Sequence, residues 1–74
     1  MSITISENIR YFRKSISMTQ EQLAERLEIS TGAVSKWERG AAMPELHHIT
    51  AMAELFGVST DALIGYAQSP KPHK

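Results

Sequence analysis

Two short helical patterns in the first half of the chain are separated by only two residues, Glu28 and Ile29. The first pattern opens after Thr19, which together with Gln22 has the form of a capping box. The second follows Ser30, a residue type that often caps a helix. So short a join forces the two helices to cross steeply. This crossed pair limits the fold more than any other feature of the sequence.

Apolar residues at helical spacing lie on both sides of this pair. A first helix is predicted from Ile5 onwards, with Thr4 and Glu7 as a further capping box, and a fourth is predicted to carry Pro44 in its first turn. A fifth follows Ser59, and no stretch alternates with a period of two. Glycines that suit helix ends follow the last three patterns: Gly40, Gly57 and Gly65. The sequence predicts an all-α domain of five helices over residues 1–66, followed by a disordered polar tail at 67–74.

Composition excludes several classes of protein. The 74 residues include no cysteine, so disulfides and cysteine-based zinc sites are impossible. No apolar run approaches the roughly 18 residues of a membrane span, and the first residues lack the features of a signal peptide. A single cytoplasmic domain without membrane contact is therefore expected.

The net charge of zero argues at first sight against a nucleic-acid partner. The charges are unevenly distributed, however. Residues 1–40 hold six Lys and Arg against five acidic residues, whereas residues 41–66 hold three acidic residues and no Lys or Arg. The balance therefore permits DNA binding through the first half, with few phosphates neutralised and a shallow salt dependence.

Two segments of the crossed pair resemble the Cro/cI-type (XRE) family of DNA-binding proteins. Residues 18–27, MTQEQLAERL, are similar to its second helix, and residues 29–40, ISTGAVSKWERG, to its recognition helix. The similarity extends over roughly residues 5–65. It implies a compact five-helix domain like that of lambda repressor, with the helix-turn-helix at about 20–39 and its second helix available for a major groove. The chain departs from the family at Ser17 and Glu28, where glycine is usual and the backbone is often left-handed.

The resemblance implies DNA contacts from the starts of two helices. Gln20, with the N–H groups around it, is expected to hold a phosphate, although a solvated glutamine is the alternative. Lys36 is the candidate for reading a guanine, with a phosphate contact as the alternative. Arg39 suits either a phosphate or the helix C-terminus. The other residues expected at this DNA face are Ser30, which also caps the helix, Thr31, Gly32 and Ser35.

Other residues are assigned structural roles. By resemblance, Arg13 and Glu38 form an internal ion pair between the first and third helices, and Trp37 is expected in the core. The weakest assignment is a dimer surface, for which satellite core packing is the alternative. That surface comprises Leu55, Val58, Ile64 and Tyr66.

Neither a metal site nor a catalytic site is predicted. His47 and His48 are adjacent, so on a helix their side chains point about 100° apart, which suits a shared metal poorly. Cysteine is absent, Asp61 is the single aspartate, and no glycine-rich phosphate loop follows a strand. An enzyme is therefore not expected, and no cofactor is implied.

The resemblance thus implies a transcriptional regulator, and we expect a repressor that binds a palindromic operator as a homodimer. One alternative is an antitoxin-like protein that also binds a partner protein. Another is a helical interaction module that keeps the fold without reading DNA. An interaction module is expected to expose apolar residues on the third helix, whereas this face is polar.

Overall fold

Five helices follow one another in a computed structural model that describes residues 4–65. They are α1 (Ile5–Ser15), α2 (Gln20–Leu27), α3 (Thr31–Arg39), α4 (Leu46–Phe56) and α5 (Thr60–Ile64). Residues 4–65 contain no strand, so the predicted all-α fold of five helices is confirmed. Within the same range, no helix has the length and apolarity needed to cross a membrane. The tail and Tyr66 lie outside the described residues.

Side-chain caps begin four of the helices where the sequence predicts them. The hydroxyl oxygens of Thr4, Thr19, Ser30 and Ser59 each accept a hydrogen bond from the N–H three residues further on. Each bond satisfies one of the N–H groups that a helix start leaves without an internal partner.

The start of α4 differs from the prediction that Pro44 lies in its first turn. Glu45 is the N-cap, with extended backbone (ψ 160°), and the helix begins at Leu46. The N–H groups of His48 and Ile49 donate to the Glu45 carbonyl over 2.9 and 3.0 Å, which fixes this start. Pro44 therefore precedes the cap, and its missing N–H costs the helix nothing.

The core lies where all five helices meet. Each helix contributes one large side chain that is fully buried: Ile9, Leu23, Val34, Met52 and Leu63. Asn8 on α1 is also buried, and its amide donates to the carbonyl of Leu63 over 3.0 Å. Because the last carbonyls of a helix lack partners within it, this bond ties the end of α5 to α1.

Among residues 4–65, two residues that are not glycine adopt left-handed backbone, as the departures from the family pattern indicate. Ser17 follows α1 with φ 58°, and Glu28 ends α2 with φ 60° and ψ 44°. The Ile29 N–H then donates to the Ala24 carbonyl over 2.9 Å, which closes the turn into α3. The tight join between α2 and α3 therefore depends on a strained residue.

Replacing Glu28 by glycine is expected to raise the free energy of unfolding by about 1 kcal/mol, because glycine adopts this conformation without a Cβ clash. Thermal unfolding followed by circular dichroism measures the change. Glu25→Gly is the matched control, since the same substitution inside α2, at ordinary helical backbone, is expected to lower stability by about 1 kcal/mol. A lower midpoint for Glu28→Gly would show that the turn is unstrained.

Candidate nucleic-acid interface

A hydrogen-bonded network joins α1, α2 and α3 beside the exposed face of α3. The Arg13 guanidinium donates through Nε to Glu38 Oε2 over 2.6 Å, and through its second terminal nitrogen to Oε1 over 3.0 Å. Arg13 also donates to the carbonyl of Met18 over 2.7 Å, in the segment that leads into α2. The Gln20 amide donates to Glu38 Oε1 over 3.0 Å. These bonds fix the start of α2 against α3.

The network is largely shielded from water. The side chains of Arg13 and Glu38 are 9% and 4% exposed. Burial opposes ionisation of the Glu38 carboxyl, but the hydrogen bonds from Arg13 and Gln20, with the positive charge of Arg13, outweigh it. The pKa of Glu38 therefore lies below its ordinary value, and this carboxyl is ionised at neutral pH.

The outward face of α3 is small, polar and cationic. Thr31, Gly32 and Lys36 are exposed, while Val34 and Trp37 on the opposite side are buried in the core. Because Gly32 has no side chain and that of Thr31 is short, a second surface can approach the backbone closely at the start of α3. The arrangement suits contact with the floor of the DNA major groove, which is about 12 Å wide.

Ser30, Ser35 and Arg39 have partners within the chain. Ser30 caps α3, its hydroxyl accepting from the Ala33 N–H over 3.1 Å. Arg39 is exposed, and its Nε donates to the hydroxyl of Ser35 over 3.4 Å. Both contacts leave hydrogen-bonding capacity, because the Ser35 hydroxyl still has a proton to donate and Arg39 has further N–H groups.

An open cleft of about 470 Å³ lies between the end of α1 and the starts of α2 and α3. Lys14, Gln20 and Thr31 line it together with Arg13 and the segment 17–19. Glu21 is the acidic residue in this lining. The cleft thus brings the predicted phosphate residue Gln20 and the predicted groove residue Thr31 to one concave surface. A phosphate in the cleft would meet the positive end of the α2 dipole.

The predicted dimer surface is only partly free. Leu55 and Val58 are half-buried and pack against the core, whereas Ile64 is exposed. Tyr66 lies outside the described residues. Of the described members, Ile64 is the one that is exposed, at 41% of its surface.

Sequence reasoning missed two contacts. The Gln20 amide is a partner of Glu38 in addition to its predicted role, and Asn8 binds the end of α5. The first had no local signal, because Gln20 and Glu38 lie eighteen residues apart. Asn8 had one, since it lies three residues after Ile5 and four before Phe12 and so shares the predicted apolar face of α1.

Comparisons with known proteins agree with this geometry. The chain is 37% identical over 59 residues to an HTH-type transcriptional activator, BcrR, of Enterococcus faecalis, covering 80% of this chain and 29% of that protein. It is 41% identical over 58 residues to an HTH-type transcriptional regulator, DicA, of Escherichia coli, covering 78% and 43%. The chain thus spans less than half the length of either relative.

A solved structure shows the same fold. The P22 c2 repressor, crystallised with a synthetic operator, superposes with a TM-score of 0.80 at 28% sequence identity. The match covers 88% of this chain and 98% of that one.

The sequence profile of a family described as Helix-turn-helix matches residues 9–63, which is well over half of the chain. The matched range includes the crossed pair of α2 and α3 and all three residues of the network that holds the pair together. The chain belongs to the helix-turn-helix family of the Cro/cI (XRE) type.

Proposed function

We propose that the chain is a sequence-specific DNA-binding transcriptional regulator, a cytoplasmic repressor that acts as a homodimer on a palindromic operator. The observation that carries this proposal is the outward face of α3. It exposes Thr31, Gly32 and Lys36, and the Arg13–Glu38–Gln20 network fixes its position relative to the start of α2. A polar, unobstructed helix held rigidly beside a second helix start suits insertion into a major groove.

The two helix starts have different tasks in this proposal. At the start of α2, the free N–H groups and the remaining amide proton of Gln20 bind a backbone phosphate in the cleft, with Lys14 nearby. On α3, Lys36 donates to a guanine edge, while Ser30, Thr31, Ser35 and Arg39 bind bases or phosphates. Phosphate contacts set the position of the protein on the duplex, and base contacts set the sequence.

The comparisons support a regulator, and the likeness in structure supports repression. BcrR is named an activator and DicA a regulator, whereas the P22 c2 protein is a repressor seen with its operator. The match to this chain covers 98% of the P22 c2 repressor chain in that structure. Binding to a partner protein, as in an antitoxin, remains the alternative function, but the polar face of α3 favours DNA.

Selection of bound sequences from random double-stranded DNA tests the proposal. We expect a palindromic consensus whose half-sites are centred about one helical turn, roughly 10 base pairs, apart. An enriched consensus that contains one half-site without its inverted repeat would refute the homodimer but would support DNA binding. If no sequence is enriched even at low salt, the DNA-binding function is refuted and the protein-interaction module is the remaining hypothesis. Co-purification would then identify the partner protein.

Gln20→Ala is expected to weaken binding by about tenfold on the operator and on unrelated DNA alike, because a hydrogen bond to a charged group contributes about 1.5 kcal/mol. Titrations on both duplexes at several salt concentrations measure this. The variant also loses the bond to Glu38, so its fold is checked by thermal unfolding and the titrations are run well below its midpoint. A changed preference between sequences would contradict a role confined to the phosphate backbone.

A further inference from the structure

Three potential metal ligands meet at the start of α4. Glu45, His47 and His48 each offer one ligand atom, and these atoms all lie within 4.8 Å of one another. Adjacent histidines on a helix point about 100° apart, and no metal site is predicted from that spacing. In the structure, however, the ring centroids of His47 and His48 lie 4.1 Å apart, and Glu45 lies beside them.

The Glu45 carboxylate is not used as a helix cap. Glu45 occupies the N-cap position of α4, yet its side chain makes no capping hydrogen bond. Its Oε1 lies 3.5 Å from Nδ1 of His47, and the two side chains are 77% and 70% exposed. Both can therefore rotate towards a cation without disturbing the core.

His48 is held more firmly than His47. Its ring centroid lies 5.3 Å from that of Trp37, and it is half-buried. Its Nδ1 is screened from solvent and has no hydrogen-bond partner among residues 4–65. A buried polar atom in this condition costs free energy. Coordination of a cation through Nδ1 would give this nitrogen the polar partner that it lacks.

We propose that Glu45, His47 and His48 form a binding site for a divalent transition metal ion of the zinc class. Two imidazoles and one carboxylate suit zinc, nickel or copper, and such a three-ligand set leaves further positions to water. Bonds of roughly 2.1 Å require ligand atoms about 3.4 Å apart in tetrahedral geometry, so the exposed side chains close in by a small rotation.

The charge of Glu45 is essential to this site. The start of a helix carries positive potential from the helix dipole, which opposes a cation. The carboxylate offsets that potential, and neutral imidazoles alone would not. Glu45→Gln keeps the shape of the side chain and removes its charge, so it isolates this contribution.

Zinc binding to the untagged chain, measured by calorimetry, tests the site. We expect one ion per chain, and an affinity at least about tenfold weaker in Glu45→Gln and in His47→Ala, since even outer partners of metal ligands contribute tenfold or more. His73→Ala is the matched control, because it removes a tail histidine and is expected to leave binding unchanged. Loss of binding in His73→Ala, or none in the unaltered chain, would overturn the proposal.

Trp37 supplies a second measurement. It is the single tryptophan of the chain, and its ring is next to that of His48. Copper, which quenches nearby fluorophores, is expected to quench its fluorescence in the unaltered chain and markedly less in His47→Ala. Equal quenching in both proteins would place the ion elsewhere. Magnesium, which prefers oxygen ligands, is expected to leave the fluorescence unchanged.

Discussion

Replacing Arg13 by alanine is expected to lower the free energy of unfolding by about 3–5 kcal/mol, because the change leaves Glu38 charged and buried without its partner. The side chain of Glu38 is only 4% exposed in the intact pair, so once the guanidinium is removed the Gln20 amide is its remaining charge-stabilising donor within the network. The loss is a large part of the roughly 5–10 kcal/mol that a small domain possesses. Urea unfolding at neutral pH, followed by circular dichroism, measures it.

The double variant Arg13→Met, Glu38→Leu separates an unpaired charge from lost packing. Apolar residues of similar volume often replace a buried pair at little cost, so the double variant is expected to be more stable than Arg13→Ala. A double variant as unstable as the single one would show that the pair itself, rather than the orphaned charge, supplies the stability.

Acidification provides an independent check on the same pair. The pKa of Glu38 is lowered in the folded state. Its contribution to stability is therefore complete above the ordinary pKa of a glutamate and is lost as the pH falls through the lowered value. The double variant, which lacks this carboxyl, is expected to show a shallower loss over that acidic range.

Lys36→Ala is expected to relax the preference at one base pair of the operator by about 1–3 kcal/mol, the usual contribution of a direct base contact. Lys36 is exposed on the polar face of α3, so the substitution leaves the core intact. Competition titrations with operators altered one base pair at a time measure the change. A uniform loss of affinity over all these duplexes would instead assign Lys36 to the phosphate backbone.

Arg26→Ala is the charge-matched control for this experiment. Arg26 is exposed in the last turn of α2, outside the cleft that Lys14, Gln20 and Thr31 line. Its removal changes the net charge as Lys36→Ala does, so it shows how much of the Lys36 effect comes from net charge alone. It is expected to leave base preference unchanged.

Much of the fold was predictable because its determinants are local. Caps at Thr19 and Ser30, and the periodic apolar residues between them, depend on neighbours within one or two turns. The left-handed backbone at Ser17 and Glu28 was also indicated, because the family usually has glycine at these two positions. The start of α4 was placed too early, because proline suits both the first turn and the position before the cap.

The site was less predictable, because its contacts join residues distant in sequence. The resemblance to the family implied the pair of Arg13 and Glu38, but nothing in the residues showed that Gln20 donates to the same carboxylate. The approach of Glu45 to His47 depends on rotamers at a helix start, which the 100° rule for helix interiors does not describe.

Gly32 makes the domain less stable than an alanine at the same position would. Its backbone φ is not in the left-handed region, and a Cβ built on it would meet Ser30 Oγ at 3.8 Å, an ordinary contact. An alanine therefore fits the free protein, and glycine costs a helix up to about 1 kcal/mol relative to alanine. No described neighbour of Gly32 requires the methyl group to be absent, so we expect its absence to serve the proposed docking of DNA against α3. The absence of one Cβ atom at this position thus lowers the stability of the isolated chain, and the same absence would allow a closer approach of DNA.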